Sequence, residues 1–248
     1  MESYNAFANY YDVLTENVDY KNLAEYLDCI IKKEGNGGNL ILDLACGTGS
    51  LSFELVKKGY DVVSVDGSEE MLSEAMNKAE TFGNPIFLNQ SMQNLDLFGT
   101  IDAAVCTLDS INHLKTKKDV EKAIERVSLF LNNGGLFIFD VNTLYKHKEV
   151  LSQNSFIYDT DKVYCVWQNQ FLEEDSSVNI TLDFFEKKKN GDYIRFFEEF
   201  SEQYYDDNFI IETLRKYKLI CVNRFDDFTN NPVNEKTQRI VYVCRKEK

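Results

Sequence analysis

An α/β fold, with a mostly parallel sheet covered by helices on both faces, follows from three observations in this 248-residue chain. Short apolar runs of strand length alternate with amphipathic helical segments across residues 39–141, the rhythm of strands joined by crossover helices. A glycine-rich turn, Cys46-Gly47-Thr48-Gly49, separates the first strand from its helix. Beyond residue 150 the apolar period shortens to two, which predicts an antiparallel insertion.

The elements follow in order. Tyr4, Phe7, Tyr11 and Leu14 share one helical face, and Tyr20, Leu23, Ala24, Leu27, Ile30 and Ile31 share another, so residues 1–35 read as a helical segment. Three glycines within residues 35–38 end it. Residues 39–44 read as a strand, 48–58 as a helix and 61–65 as a strand. A helix over 68–79 carries Glu69 and Glu70 in its first turn, where carboxylates favour the dipole. Strands are predicted at 85–89 and 101–107. Thr116 then opens a helix as a near capping box with Asp119, burying Val120, Ala123, Ile124, Val127, Phe130 and Leu131. Residues 132–135 close it, and 136–141 form a buried strand. Strands at 162–172, 178–184 and 193–200 are joined in part by the turn Lys189-Asn190-Gly191-Asp192. A helix over 206–217, with Ile210, Leu214 and Tyr217 on one side, and strands at 219–225 and 239–244 complete the chain. The division expected is therefore an N-terminal segment (1–35), a main α/β domain (36–150 and 205–248) and an antiparallel insertion (151–204).

Composition narrows the function. There are 41 acidic and 27 basic side chains, a formal net charge of −14, which opposes general affinity for nucleic acid phosphates. Hydrophobic residues at 44% and aromatics at 13% supply a core and exclude disorder. No apolar run reaches the roughly 20 residues a membrane helix needs, and residues 1–5 show no basic-then-apolar leader. Six cysteines, at 29, 46, 106, 165, 221 and 244, lack C-x-x-C spacing. They read as free thiols of a cytoplasmic protein, with no metal site. The expected partner is a small molecule, bound by a monomer or homodimer.

The informative segment is Leu42-Asp43-Leu44-Ala45-Cys46-Gly47-Thr48-Gly49-Ser50. A tight strand-to-helix turn needs residues without bulky Cβ substituents, and it presents the free N–H groups of the helix start to a ligand. Asp66 follows at the end of the next strand, where a carboxylate can take both ribose hydroxyls of a nucleoside. A nicotinamide dinucleotide is one reading, but Gly47-x-Gly49-x-x-Ser52 lacks the third glycine that fingerprint requires.

Asp43 and the D-x-A-x-G-x-G pattern resemble the first motif of class I S-adenosylmethionine-dependent methyltransferases, with Ala45 in place of the first glycine. The resemblance implies a Rossmann-like fold with a seven-stranded, mostly parallel sheet, S-adenosylmethionine as cofactor and S-adenosylhomocysteine as product. Asp43, Ala45, Cys46, Gly47 and Gly49 would cradle the cofactor. Asp66-Gly67-Ser68 with Met71 resembles the second motif, Asp66 being the ribose acid. Ser91-Met92 stands where relatives usually carry Asp-Met against adenine. Thr107-Leu108-Asp109-Ser110-Ile111-Asn112-His113 occupies the post-strand motif of small-molecule members, and Asn133-Gly134-Gly135 the turn before the fifth strand. Tyr11 and Tyr20 fall in segments similar to the lid of that branch, and the insertion resembles the cover of glycine and nucleotide-sugar N-methyltransferases.

Methyl transfer from a sulfonium needs alignment, exclusion of water and, for some acceptors, proton removal. His113 lies past the carboxyl end of a central strand, where such sheets bind ligands. Sugar N-methyltransferases have a histidine at the matching place, which implies a base or acceptor-orienting role; the alternative is a helix-start histidine bonded to backbone. Asp109 can hold an ammonium acceptor or orient His113, or else cap its loop. His147, flanked by Lys146 and Lys148, reads as a solvated surface residue. Trp167, Phe196 and Tyr204 can line an acceptor pocket or simply pack. Transfer to nitrogen or oxygen is expected. A dinucleotide-dependent oxidoreductase and a non-catalytic nucleoside-binding protein are the alternatives.

Overall fold

A computed structural model describes residues 4–82, 85–152 and 154–247. Strand β1 (Leu40–Leu44) has parallel neighbours on both sides, β2 (Asp61–Asp66) and β4 (Ile101–Cys106), so Ile41, Leu42 and Leu44 are fully buried. With β3 (Ile86–Asn89), β5 (Leu131–Asn142), β10 (Leu219–Asp226) and β11 (Arg239–Lys246) the sheet has seven strands in the order β10-β11-β5-β4-β1-β2-β3. Only β11 runs antiparallel to its neighbours β5 and β10. The predicted seven-stranded, mostly parallel sheet is thus present.

Alternate residues of the strands feed two cores. Ile41, Ala103 and Ile138 pack with Leu23 and Leu27 of α2 (Tyr20–Glu34) and Leu51 of α3 (Ser50–Lys57). Leu42, Ala104 and Phe139 face Val120 and Ile124 of α5 (Lys117–Phe130) and Ile210 of α6 (Asp207–Lys216). Helix α4 (Glu69–Phe82) links β2 to β3. Thr116 caps α5 by accepting the Asp119 N–H at 3.1 Å. That helix ends at Phe130, one residue earlier than predicted, because Leu131 already pairs with Ile101 as the first residue of β5.

The second sheet is four-stranded and antiparallel, β6 (Ser155–Asp159), β7 (Val163–Leu172), β8 (Ser177–Lys187) and β9 (Tyr193–Gln203). Strand β6 escaped prediction: it is a mostly exposed edge strand without alternation. Helix α1 (Tyr4–Leu14) joins the two sheets. Its Phe7 packs on Phe184 and Phe200, and Tyr10 stacks on Phe184 and Phe196. The side chain of Tyr4 lies outside the described residues.

One expectation is overturned here. His147 is fully buried, not solvated. It sits in a wide turn, Lys146–Leu151, in which the Ser152 N–H bonds back five residues to the His147 carbonyl at 2.8 Å. This turn packs against β7 and β8, so His147 points inward while its lysine neighbours stay half-buried. Among the described residues no helix is long and apolar enough to cross a membrane.

Candidate active site

The turn after β1 is built from left-handed residues: Ala45 at φ 59°, Gly47 at 55° and Gly49 at 77°. An L-residue at such a φ costs about 1–2 kcal/mol, so Ala45 is a strained position, held by the Cys46 N–H bonded to the Val65 carbonyl at 3.0 Å. Gly49 must be glycine, since a Cβ there would stand 3.1 Å from the Phe53 ring and 3.2 Å from Ala75. Asp66, at the end of β2, accepts the Gly47 N–H at 2.8 Å and the Ser68 N–H at 2.9 Å. A carboxylate has about four lone-pair sites, so capacity remains for a diol.

Asp43 is buried and accepts the Ser52 hydroxyl at 2.5 Å, while Ser64 donates to Ser52 at 2.8 Å. Burial pushes its carboxyl up to about 7; the Ser52 bond opposes this and the Asp66 charge adds to it. Burial also raises Asp66, against the backbone N–H groups of Ser68 and Gly47 and the nearby His113. Burial therefore disfavours the charged form of both carboxyls, and a ligand bringing positive charge would offset that.

Helix α1 lies over this turn. Asp12 accepts the Thr48 hydroxyl at 2.5 Å and the Lys78 ammonium at 2.7 Å. The ring of Tyr11 would stand 3.8 Å from a Cβ placed on Gly47. Its hydroxyl is pushed well above the ordinary range by burial, then by Tyr20, Asp109 and Asp66. Tyr11 thus lies close enough to Asp66 and Asp109 for both charges to act on it.

In that segment Leu108 and Asp109 are both left-handed, at φ 59° and 57°. The strain is held by a network the sequence does not announce. Asp140 of β5 accepts the Asp109 N–H at 2.8 Å, and Arg239 of β11 donates to Asp140 at 2.5 Å and to Asp109 at 2.7 Å. Burial raises the Asp109 carboxyl, but Arg239, then Lys146 and His113, outweigh it and hold it well below the ordinary range. Asp140 goes up to about 6, burial outweighing Arg239. Asp109 makes no capping bond.

His113 ends the short 3₁₀ turn Ser110–His113. It is exposed, and its ring lies 5.3 Å from that of Phe200 on β9. Its ring makes no hydrogen bond among the described residues, so the backbone-bonded alternative is not what this geometry contains. A third ionisable group joins it from the insertion. Donor atoms of Asp109, His113 and Glu202 all lie within 4.8 Å of one another. Glu202 is buried and accepts the Asn142 amide at 2.7 Å. These three side chains could hold a cation, although Arg239 already neutralises Asp109.

Gly67 faces Ser91, with 3.8 Å between an added Cβ and the Ser91 Cα. Met71 starts α4, its N–H bonded to Ser68 at 3.2 Å, and Met92 packs against the core while Ser91 accepts the Asn94 amide at 2.9 Å. Thr107 is buried. Cys46 is half-buried, and burial raises its thiol well above the ordinary range, which suits a filler rather than a nucleophile. Phe196 stacks on Phe184, and Trp167 packs between Phe156 and Tyr158 at the sheet's far edge. Tyr204 is half-buried just past β9. Sequence reasoning missed Arg239, Asp140 and Glu202; none lies in a local motif.

Comparison with known proteins agrees with this geometry. A family described as methyltransferase domain matches residues 41–135. The chain is 32% identical over 250 residues to YqeM of Bacillus subtilis (strain 168), named as a methyltransferase, covering 99% of this chain and 98% of that protein. It superimposes on an S-adenosylmethionine-dependent methyltransferase from Clostridium acetobutylicum ATCC 824 with TM-score 0.87 and 35% identity, covering 99% of each chain. A sugar N-methyltransferase from Streptoalloteichus sp ATCC 53650 shares the fold, with TM-score 0.78 at 18% identity over 96% of this chain and 93% of that one. The oxidoreductase alternative falls away. Two full-length likenesses, joined to the left-handed turn between β1 and α3, place this chain in the S-adenosylmethionine-dependent methyltransferase family.

Proposed function

We propose that this enzyme transfers a methyl group to the nitrogen of a small amine. The observation that carries this reading is the convergence of Asp109, His113 and Glu202 within 4.8 Å. Three acceptors around a tetrahedral ammonium at about 2.8 Å stand about 4.6 Å apart, a separation inside the 4.8 Å within which these three groups lie. The shared fold with a sugar N-methyltransferase points the same way.

S-adenosylmethionine, when bound, supplies the electrophilic methyl on its sulfonium. In this reading Asp66 holds the ribose diol, the turn 45–49 lets backbone approach the ligand, and Tyr11 and Tyr20 close over it. Gly67, Met71, Ser91 and Met92 flank the adenine side. Thr107 and Leu108 place Asp109, which holds the amine, while exposed His113 passes its proton to solvent. Residues 1–35 act as the lid and 151–204 as the acceptor cover. The six free thiols suit a cytoplasmic enzyme.

His113→Ala is expected to leave S-adenosylhomocysteine affinity within about twofold while slowing methylation of an accepted amine about a hundredfold or more. Production of S-adenosylhomocysteine across a panel of small amines and hydroxyl compounds checks this. An unaltered rate, or turnover with hydroxyl compounds alone, would sink the nitrogen reading.

Proton linkage tests Asp43. Its raised carboxyl means that folding is less favourable as pH rises from about 4 to about 7. A ligand bringing an ammonium lowers that proton affinity, so binding S-adenosylhomocysteine between pH 6 and 7 should release a fraction of a proton. Calorimetry in buffers of different ionisation enthalpy reads this; Asp43→Asn should remove the buffer dependence.

A further inference from the structure

A buried polar cluster lies where the turn 146–151 meets β5 and β9. His147 is fully buried, and neither ring nitrogen has a hydrogen-bond partner among the described residues. Its Nε2 stands 3.4 Å from Oε2 of Glu202. That same oxygen accepts the Asn142 amide at 2.7 Å, and Asn142 in turn accepts the Lys146 ammonium at 2.9 Å. Asn112 fixes the frame: its amide donates to the Gln203 carbonyl at 2.8 Å and its oxygen accepts the Asn142 N–H at 2.9 Å. Glu202 is thus clamped from β5 and from the turn 146–151, with its carboxylate next to Asp109 and His113.

We propose that Glu202 is a catalytic residue, the group that takes the proton of an acceptor entering as an ammonium ion, and that His147 is its positioning residue. This rests on the amine reading above and deepens it: the substrate is a primary or secondary amine bound in its charged form. Desolvating a cation is compensated only where charged acceptors meet its N–H groups. Arg239 balances the charge of Asp109 through Oδ1, so Asp109 can hold the amine but Glu202 is the carboxylate left to take its proton.

The proton balance is as follows. R–NH₃⁺ gives one proton to Glu202, leaving R–NH₂ with a free lone pair. That pair forms the nitrogen–carbon bond to the methyl as the carbon–sulfur bond breaks, its electrons going to sulfur. The products are R–NH₂⁺–CH₃ and neutral thioether, and the proton on Glu202 leaves to solvent by way of exposed His113. Nε2 of His147, 3.4 Å from Oε2 of Glu202 and without a hydrogen bond among the described residues, is close enough to donate to that oxygen when the site tightens around a ligand, which would fix the carboxylate direction.

The test uses sinefungin, whose primary amine stands where the cofactor carries its reactive methyl, against S-adenosylhomocysteine, which has a neutral thioether there, as the reference. Calorimetry on the wild-type chain is expected to show sinefungin binding about tenfold or more tighter at pH 7. Glu202→Gln should bring the two affinities within about threefold while S-adenosylhomocysteine binding stays unchanged. His147→Phe should erode the ratio, and His147→Gln, which keeps a donor near the Nε2 position, should restore it. A ratio untouched by Glu202→Gln overturns the assignment. If S-adenosylhomocysteine fails to bind the wild-type chain, it is the cofactor reading that fails instead. Should the variants not fold, ¹⁵N-histidine spectra of the wild-type chain decide, because it has only two histidines. Sinefungin must move the His147 ring signals where S-adenosylhomocysteine does not; identical spectra overturn the proposal.

Discussion

Arg239→Met should destabilise the fold by about 3–5 kcal/mol at pH 7.5, the usual consequence of leaving buried charges without their partner. The guanidinium stands between two carboxylates, 2.5 Å from Asp140 and 2.7 Å from Asp109, and Asp140 is completely buried with Oδ1 unpartnered. The pH dependence carries a definite sign. Asp109, held low in the folded state, contributes stability above about pH 4 that is lost as pH falls through its folded value. Asp140, raised to about 6, makes folding less favourable as pH climbs from about 4 to about 6. Without Arg239 both carboxyls hold protons more tightly, so the gap between variant and wild type should narrow between pH 7.5 and pH 5. Denaturant unfolding at the two pH values measures it. A loss under about 1 kcal/mol, or a gap that widens on acidification, would show that the pair is not held by this cation.

Asp66→Ala should weaken S-adenosylhomocysteine binding by about 1–3 kcal/mol, roughly five- to a hundred-and-fiftyfold. Two effects add. The ribose hydroxyls lose a charged acceptor, and the N–H groups of Gly47 and Ser68 lose the oxygens that hold the turn in shape. Asp66→Asn keeps one acceptor oxygen and should fall between. Calorimetric affinities, read beside unfolding midpoints, separate a binding defect from a folding one. Full affinity in Asp66→Ala would remove this residue from the site.

Much of the architecture was legible because it is written in local periods. The apolar run 39–44, the glycines at 47 and 49 and the acid at 66 are neighbours in sequence and remain neighbours in β1, the turn and β2. The alternation of Val178, Ile180, Leu182 and Phe184 gave β8, and all four are buried. Strand β6 left no such trace, since an edge strand needs no buried face. His147 misled because two flanking lysines imitate a surface segment, whereas the wide turn 146–151 rotates its side chain inward.

The turn after β1 and the segment after β4 therefore differ in kind. The sequence by itself determined the fold class, the strand–turn–helix with its left-handed glycines, and the acid that ends β2, because backbone conformation and hydrophobic burial act over a few residues. Only the tertiary structure decided what surrounds Asp109 and His113. Asp109 meets Arg239 from 130 residues away, and Glu202 comes to Asp109 and His113 because β9 lays one face against α1 and the 110–113 turn. Charges brought together across such distances obey burial and Coulomb's law within the folded chain, and no spacing along the sequence records them.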